Sequence, residues 1–306
     1  MHSCYLNRFI LGLAITVGLI ACSGSPTQPV PVTPQPAKIV AADAAAAEAL
    51  AVFELQRDGA RAWSLISAAT REAPERVDLA YLQAALCGHI EGCQPETYEA
   101  RVRTLDPGNA AIWMRSLAIA QRRRDTAVEA QILDAIGRSQ RFDVYWNPLV
   151  SSLTGTRVAR GAYVNASLSE MIQWLGDTIV PQLQPLTIAC SRTRTSEPQW
   201  AERCRRVARV LMNADTYVAE SVGTALALQV PENAAEQAKL SERARTSRYV
   251  WRVYAEITNS QIERDKFALQ LLNLMRKLRR EQDVQLAVVR WSGRPVTPPA
   301  LWRDDG

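Results

Sequence analysis

The 306-residue chain holds two histidines, four phenylalanines and six cysteines, and these scarcities bound its chemistry first. His2 lies in the N-terminal segment discussed below, which leaves His89 alone in the rest of the chain. Sites built from several imidazoles, such as a three-histidine zinc centre, are excluded. Six cysteines in this length fall far below the density of a small disulfide scaffold. The apolar stretch Ile10 to Ala21 is shorter than the roughly 20 residues a membrane-spanning helix needs. Glycine-rich phosphate loops, H-E-x-x-H and G-x-S-x-G motifs are all missing. The chain is therefore expected not to be an enzyme and to carry no metal or cofactor, although scattered carboxylates form the one kind of catalytic site that no linear motif reveals. Against these absences, an apolar share of 47% and a charged share of 22% exclude wholesale disorder.

The N-terminal segment reads as a targeting signal, with Arg8 as its positive region and Ile10 to Ala21 as its apolar one. It ends in Leu19-Ile20-Ala21-Cys22, which resembles the lipobox of bacterial lipoproteins. The resemblance implies a signal peptide over 1–21 and a mature N-terminus at Cys22 modified with acyl chains such as palmitate. It also implies that Ser23 after the cysteine directs sorting to the outer membrane, facing the periplasm. Each buried methylene of such chains contributes about 0.8 kcal/mol to anchoring. Residues 22–39 then carry Pro26, Pro29, Pro31, Pro34 and Pro36, a composition expected to form an extended tether of roughly 3 Å per residue.

Cys87, Cys93, Cys190 and Cys204 remain in the body. An even number in an oxidising compartment points to two disulfides. Four cysteines allow three connectivities, of which pairing between sequence neighbours, Cys87 with Cys93 and Cys190 with Cys204, is favoured.

From Ala41 onward the sequence lacks strand-like alternation and is rich in Ala, Leu, Arg, Gln and Glu, so an all-α body is expected. Leu105-Asp106-Pro107-Gly108-Asn109, followed by Ala110, Trp113, Leu117, Ala120, Asp125 and Ala130, resembles a tetratricopeptide repeat. Pro74 precedes Pro107 by about one repeat, and helices are expected at Ala41 to Gln56, Ala60 to Arg71 and Val77 to Leu86. The pattern departs from that family at Arg124, where a glycine is usual, and at Ala130, one place late. The resemblance implies a solenoid of stacked helix pairs over 40–142. An irregular helical bundle is expected over 143–292 and an extended, poorly ordered tail over 293–306. Within the second half, Ser196 and Gln199 form a capping box for a helix running to about Ala214, and Pro231 opens another running to about Thr258. Phe267, Leu271, Leu274 and Leu278 form one apolar stripe on an expected long helix from Ser260 to Trp291. Trp63, Trp113, Trp174 and Trp251 are expected in the core.

Three constellations bear on function. Cys87, His89 and Cys93 could supply soft metal ligands, but oxidising conditions and the spacing favour a disulfide with His89 solvated. Glu220-Ser221, with Gly223 and Gln229 downstream, resembles a fragment of lytic transglycosylases, in which a glutamic acid acts on a glycan. Here Gln229 follows after only nine residues, and the alternative is a solvated glutamate on an ordinary helix. Charge is also uneven: residues 40–100 carry ten Asp/Glu against four Lys/Arg, while 101–160 carry ten Arg against five acids. Export argues against nucleic acid as the partner of the basic runs. The resulting expectation is a lipid-anchored envelope protein that binds a protein partner through its helix pairs, with Arg115, Arg122 and Arg123 lining the contact. The alternative is an envelope enzyme acting on peptidoglycan.

Overall fold

The computed structural model describes residues 37–262 and 264–303. The expected signal peptide, Cys22 and the tether up to residue 36 lie outside the described residues. The described chain is all helical, with no strand among its residues and one isolated bridge between Asn109 and Arg141. In order come α1 (Ala37–Ala51), a π-helical turn (Val52–Gln56), α2 (Gly59–Glu72), α3 (Val77–Cys87) and α4 (Pro95–Leu105). A 3-10 turn (Ala111–Trp113) leads into α5 (Met114–Arg122), then α6 (Thr126–Arg138), α7 (Trp146–Ala159), α8 (Val164–Ile179) and α9 (Gln184–Ala189). The chain continues with α10 (Arg192–Thr195), α11 (Pro198–Leu211), α12 (Tyr217–Gln229), α13 (Ala234–Gln261), α14 (Asp265–Lys277) and α15 (Glu281–Trp291). No described helix is long and apolar enough to cross a membrane.

Small residues set how closely the first helices approach. Ala42, Ala46 and Ala49 of α1 are fully buried beside Leu50, and α1 packs on both α2 and α7. Helices α2 and α3, α3 and α4, and α5 and α6 also pack on each other. Helices α2 and α6 begin in the same way. The Asp58 carboxylate accepts from the Arg61 amide at 2.9 Å, the Asp125 carboxylate accepts from the Val128 amide at 3.0 Å, and each aspartate follows a left-handed arginine. Arg57 has φ 55° and Arg124 has φ 56°. Both arginines thus take the positive φ that favours glycine, the residue usual at 124 in the repeat this stretch resembles.

The core runs continuously from Ala42 in α1 to Val288 in α15. Where the chain leaves helical geometry inside it, two buried polar side chains satisfy the exposed backbone. The Asn109 amide donates to the Asp143 carbonyl at 2.8 Å and to the Tyr145 hydroxyl, while its oxygen accepts from the Ala111 and Asp143 amides. The Asp215 carboxylate accepts from the Val144 and Trp146 amides, and its own carbonyl accepts from the Glu281 amide at 2.8 Å. Around them, Asp106 accepts from Tyr145 and pairs with Arg141, and Asp143 pairs with Arg141 and Arg279.

This seam corrects one expectation. Ser260 to Trp291 is not one helix, because the chain breaks after α13 and again at Leu278–Arg280. At the second break Leu278 is extended and its carbonyl accepts from the Asn147 amide at 2.8 Å, while Arg279 pairs with Asp143 and Arg280 with Glu220. Ser196 does not cap α11 either: it ends α10, and its hydroxyl donates to the Thr193 carbonyl at 2.7 Å. Helix α13 opens at Ala234 rather than at Pro231, because Asn233 is the residue that caps it, its side chain accepting from the Glu236 amide at 2.9 Å.

The tail expected to be poorly ordered packs on α13. Trp302 meets Tyr249 edge-on at 5.4 Å, and Arg245 donates to the Pro299 carbonyl at 2.6 Å. Trp174 is buried, and Trp63 and Trp113 are half-buried against the core. Trp251 departs from its expected place: it is 44% exposed and stacks on Tyr217 at 5.6 Å, because it lies on the outer side of α13.

A left-handed backbone costs an L-residue roughly 1 kcal/mol that glycine avoids, so Arg124→Gly should stabilise the protein by about 0.5–1 kcal/mol in urea unfolding. An equal loss instead would show that Arg124 contributes through its side chain. Stability should also depend on pH through the seam. Burial, reinforced by the charge of Asp143, raises the Asp215 carboxyl from 3.8 to about 7 against opposing hydrogen bonds from the Trp146 and Val144 amides. Burial also raises Asp43, Glu99, Asp143 and Glu281. The folded state therefore binds these protons more tightly than the unfolded one, and the stability they contribute is present at low pH and lost as pH rises through the folded value. The urea midpoint should fall between about pH 4.5 and about pH 7.5; a midpoint that rises over this range would contradict the seam's protonation.

Candidate functional site

Helices α3 and α5 present their small residues to a common cleft. Ala84, Ala85 and Gly88 come from α3 and its end, Ala118 from α5, and the space between them amounts to about 320 Å³. Gly88 is needed there for room rather than for its backbone angles. A Cβ at this position would stand 3.1 Å from Arg115 Nη1 and 3.1 Å from the Ala85 carbonyl.

The far wall is a strap, residues 180–183, joining α8 to α9. Pro181 lies inside it and Pro185 just beyond it in the first turn of α9, and none of its residues belongs to a helix. The helix faces grip its flanks through main-chain carbonyls. The Tyr81 hydroxyl donates to the Ile179 carbonyl at 3.3 Å, the Gln121 amide donates to the Pro185 carbonyl at 2.8 Å, and His89 Nε2 lies 3.4 Å from the Thr178 carbonyl. Leu183 is buried, and Val180 packs against the core. The cleft thus already holds the two helix ends that flank the strap by main-chain groups that every residue carries.

Cys87 and Cys93 are bonded, with Cα atoms 5.4 Å apart, and they close the loop that carries His89 to the cleft rim. Both sulfurs are consumed, so neither presents a thiolate. His89 is exposed, and one side of its ring lies against Phe53 at 5.9 Å between centroids. Cys190 and Cys204, with Cα atoms 5.6 Å apart, join the end of α9 to α11. Trp200 reinforces that junction by donating from Nε1 to the Ala189 carbonyl, with Arg194 over its ring at 3.8 Å.

Of the three arginines singled out from the sequence, the cleft brings two together. Arg115 and Arg122 stand seven residues apart on α5, two helical turns along one face, with Ala118 between them. Arg123 sits about 100° further round, caps the helix and does not line the cleft. Among the described residues Arg115 has only distant ionic partners, Glu99 at 3.8 Å and Glu96 at 3.9 Å. Burial raises the Glu99 carboxyl, and Arg115 and Arg103 oppose that rise. Arg122 makes no ion pair among the described residues. The lining thus sets Arg115 and Arg122 beside two carboxylates, Glu99 and Asp177.

Glu220 lies elsewhere, in the first turn of α12, and it is not the solvated side chain of the simpler expectation. It is buried, with Oε1 accepting from Arg243 Nε and Nη2 at 3.2 and 2.7 Å and Oε2 accepting from Arg280 Nη2 at 2.9 Å. Gln229 ends the same helix. The strap, Tyr81 and Gln121 escaped sequence reasoning. Pro181 and Pro185 were the available signal for a non-helical segment, but nothing local says which helices it meets.

Removing one grip isolates the strap's dependence on it. Tyr81→Phe should cost about 1 kcal/mol and speed hydrogen exchange at the Val180, Gln182 and Leu183 amides by about tenfold, with the rest of the chain unchanged. Exchange in the strap that does not respond would show that Tyr81 is a packing residue only. No family model, curated protein or solved structure matches this chain.

Proposed function

We propose that this is a lipid-anchored protein of the outer membrane, facing the periplasm, that acts as a protein-binding scaffold and receives an extended segment of its partner in the α3–α5 cleft. The observation that carries this reading is the grip on the strap. Three side chains, Tyr81, His89 and Gln121, meet the main-chain carbonyls of Ile179, Thr178 and Pro185 at the end of α8 and the start of α9, and recognition of a main-chain carbonyl does not depend on the identity of the residue held. Arg115 and Arg122 line the same cleft with Glu99 and Asp177, so both signs of charge are present to pair with side chains of an incoming segment.

Two further features support a tetratricopeptide-like arrangement of the first helices. The left-handed arginine followed by a capping aspartate recurs at 57–58 and 124–125. Val77 and Ala111, which open α3 and the turn into α5, are 34 residues apart, the length of that repeat. Stacked helix pairs of this kind form extended surfaces for partner chains. The Leu19-Ile20-Ala21-Cys22 motif supports the anchor.

A photoreactive residue placed at Ala118 in intact cells tests the reading. One or a few discrete crosslinked envelope proteins are expected, lost when Ala85→Trp is added to fill the cleft, and lost with Cys22→Ala, which removes the anchor. The same diffuse background in all three forms would overturn the scaffold and leave the chain without a partner at this cleft.

A further inference from the structure

Outside the main core a smaller apolar cluster joins Tyr249, Val250 and Val253 of α13 to Val289 of α15. The tail of the chain covers it. Val296 and Trp302 pack against the cluster, Arg245 donates to the Pro299 carbonyl at 2.6 Å, and Arg294 pairs with Glu256 at 2.7 Å. Burial alternates along Pro295-Val296-Thr297-Pro298: Pro295 and Thr297 are exposed, Val296 is half-buried and Pro298 is buried. Of this tetrapeptide the fold takes up every second side chain, and a guanidinium holds the carbonyl of the residue that follows.

The same tetrapeptide occurs once more, as Pro31-Val32-Thr33-Pro34, outside the described residues. Both copies are restricted in the same way. Proline fixes its own φ at about −65°, and the residue before a proline is steered to extended backbone. A segment so constrained loses little conformational freedom when it binds. In the register set by the tetrapeptide, Gln35 falls at the place of Pro299 and offers the same carbonyl to Arg245. Lys38 falls at the place of Trp302, so the ring that meets Tyr249 is an anchor of the tail alone.

Each chain thus carries one such face and two such segments, which leaves a segment over for the face of another copy. We propose that the α13–α15 face is a docking site for the Pro-Val-Thr-Pro segment, and that residues 31–34 of a second copy of this chain are its other occupant, with Val32 taking the place of Val296 and Pro34 that of Pro298. The tail and the incoming segment exclude each other. Because the tail follows directly on α15, its effective concentration at the site is on the order of millimolar, and it holds Trp302 besides. The tail is therefore a built-in competitor that sets how readily copies associate. The inference does not rest on the α3–α5 cleft or its partner.

A fluorescent peptide of residues 26–36, titrated by anisotropy against the full chain in detergent, tests the site. Saturable binding is expected, at least about tenfold tighter to a Trp302→Ala chain, whose tail has lost its ring contact, than to the unaltered one. Val32→Asp with Pro34→Ser in the peptide should abolish binding, whereas Thr33→Gln, at an outward position, should change it by less than about threefold. These peptide changes leave the folded chain untouched, so the test does not hinge on its stability. Two differently tagged Trp302→Ala chains should co-purify and should lose that association when both also carry Val32→Asp and Pro34→Ser. Any one of four results overturns the proposal: no saturable binding to the Trp302→Ala chain up to about 5 mM, equal binding by the doubly changed peptide, equal affinity of the two chains, or peptide binding without co-purification, which would put the segment on its own chain.

Discussion

Asn109 and Asp215 each tie two stretches of chain together where backbone that is not helical crosses the middle of the core. A buried amide or carbonyl with no partner costs about 1–3 kcal/mol, and the chain passes through the core as irregular backbone at 106–113, 141–146, 213–216 and 278–281. Asn109 serves the first two of these segments, while Asp215 serves the second and, through its carbonyl, the last. The surrounding helices can then pack by small residues and aliphatic contact, because their termini are already held in register. Burial of a carboxylate at that point makes its charged form unfavourable and links the centre of the fold to pH.

The cleft depends on this seam. Ala111 and Ile112, which form part of its lining, follow directly from Asn109, whose oxygen accepts from the Ala111 amide. Tyr81, which reaches across to the strap, packs edge-on against Tyr145, and Tyr145 is fixed by Asn109 and Asp106. The disulfide between Cys87 and Cys93 then holds the opposite rim, where His89 meets Phe53 and the Thr178 carbonyl. The site is positioned by a few long-range polar contacts and one covalent link, while its floor is shaped by alanines and a glycine.

What could be read beforehand was local. The helices of the first half, the two cysteine pairings and the apolar stripe at Phe267, Leu271 and Leu274 all follow from periodicity or proximity within a few residues. Arg124 shows the limit of a motif: the fold keeps the conformation although the residue that favours it is replaced. Ser196 and Leu278 show a second limit. Ser196 had a plausible capping partner ahead of it, yet α10 claimed its hydroxyl, and Leu278 continued a stripe that Asn147, 131 residues away in sequence, interrupts. Arg115 and Arg122 were identifiable from their helix, but the strap opposite them was not, because pairing a proline-containing segment with a helix face is a tertiary choice.

The cations that hold these contacts, Arg76 on Asp43 and Asp78, Arg141 and Arg279 on Asp143, Arg194 on Glu129, and Arg243 and Arg280 on Glu220, are all guanidinium groups. Planar forks suit shared carboxylates and stay charged at any ordinary pH. The sequence has little else to offer, since Lys38, Lys239, Lys266 and Lys277 are its only lysines. From residue 39 to residue 238 there is no side-chain amine at all, so acetylation, amine-reactive labels and lysine-directed crosslinkers pass over the whole α3–α5 cleft without marking it.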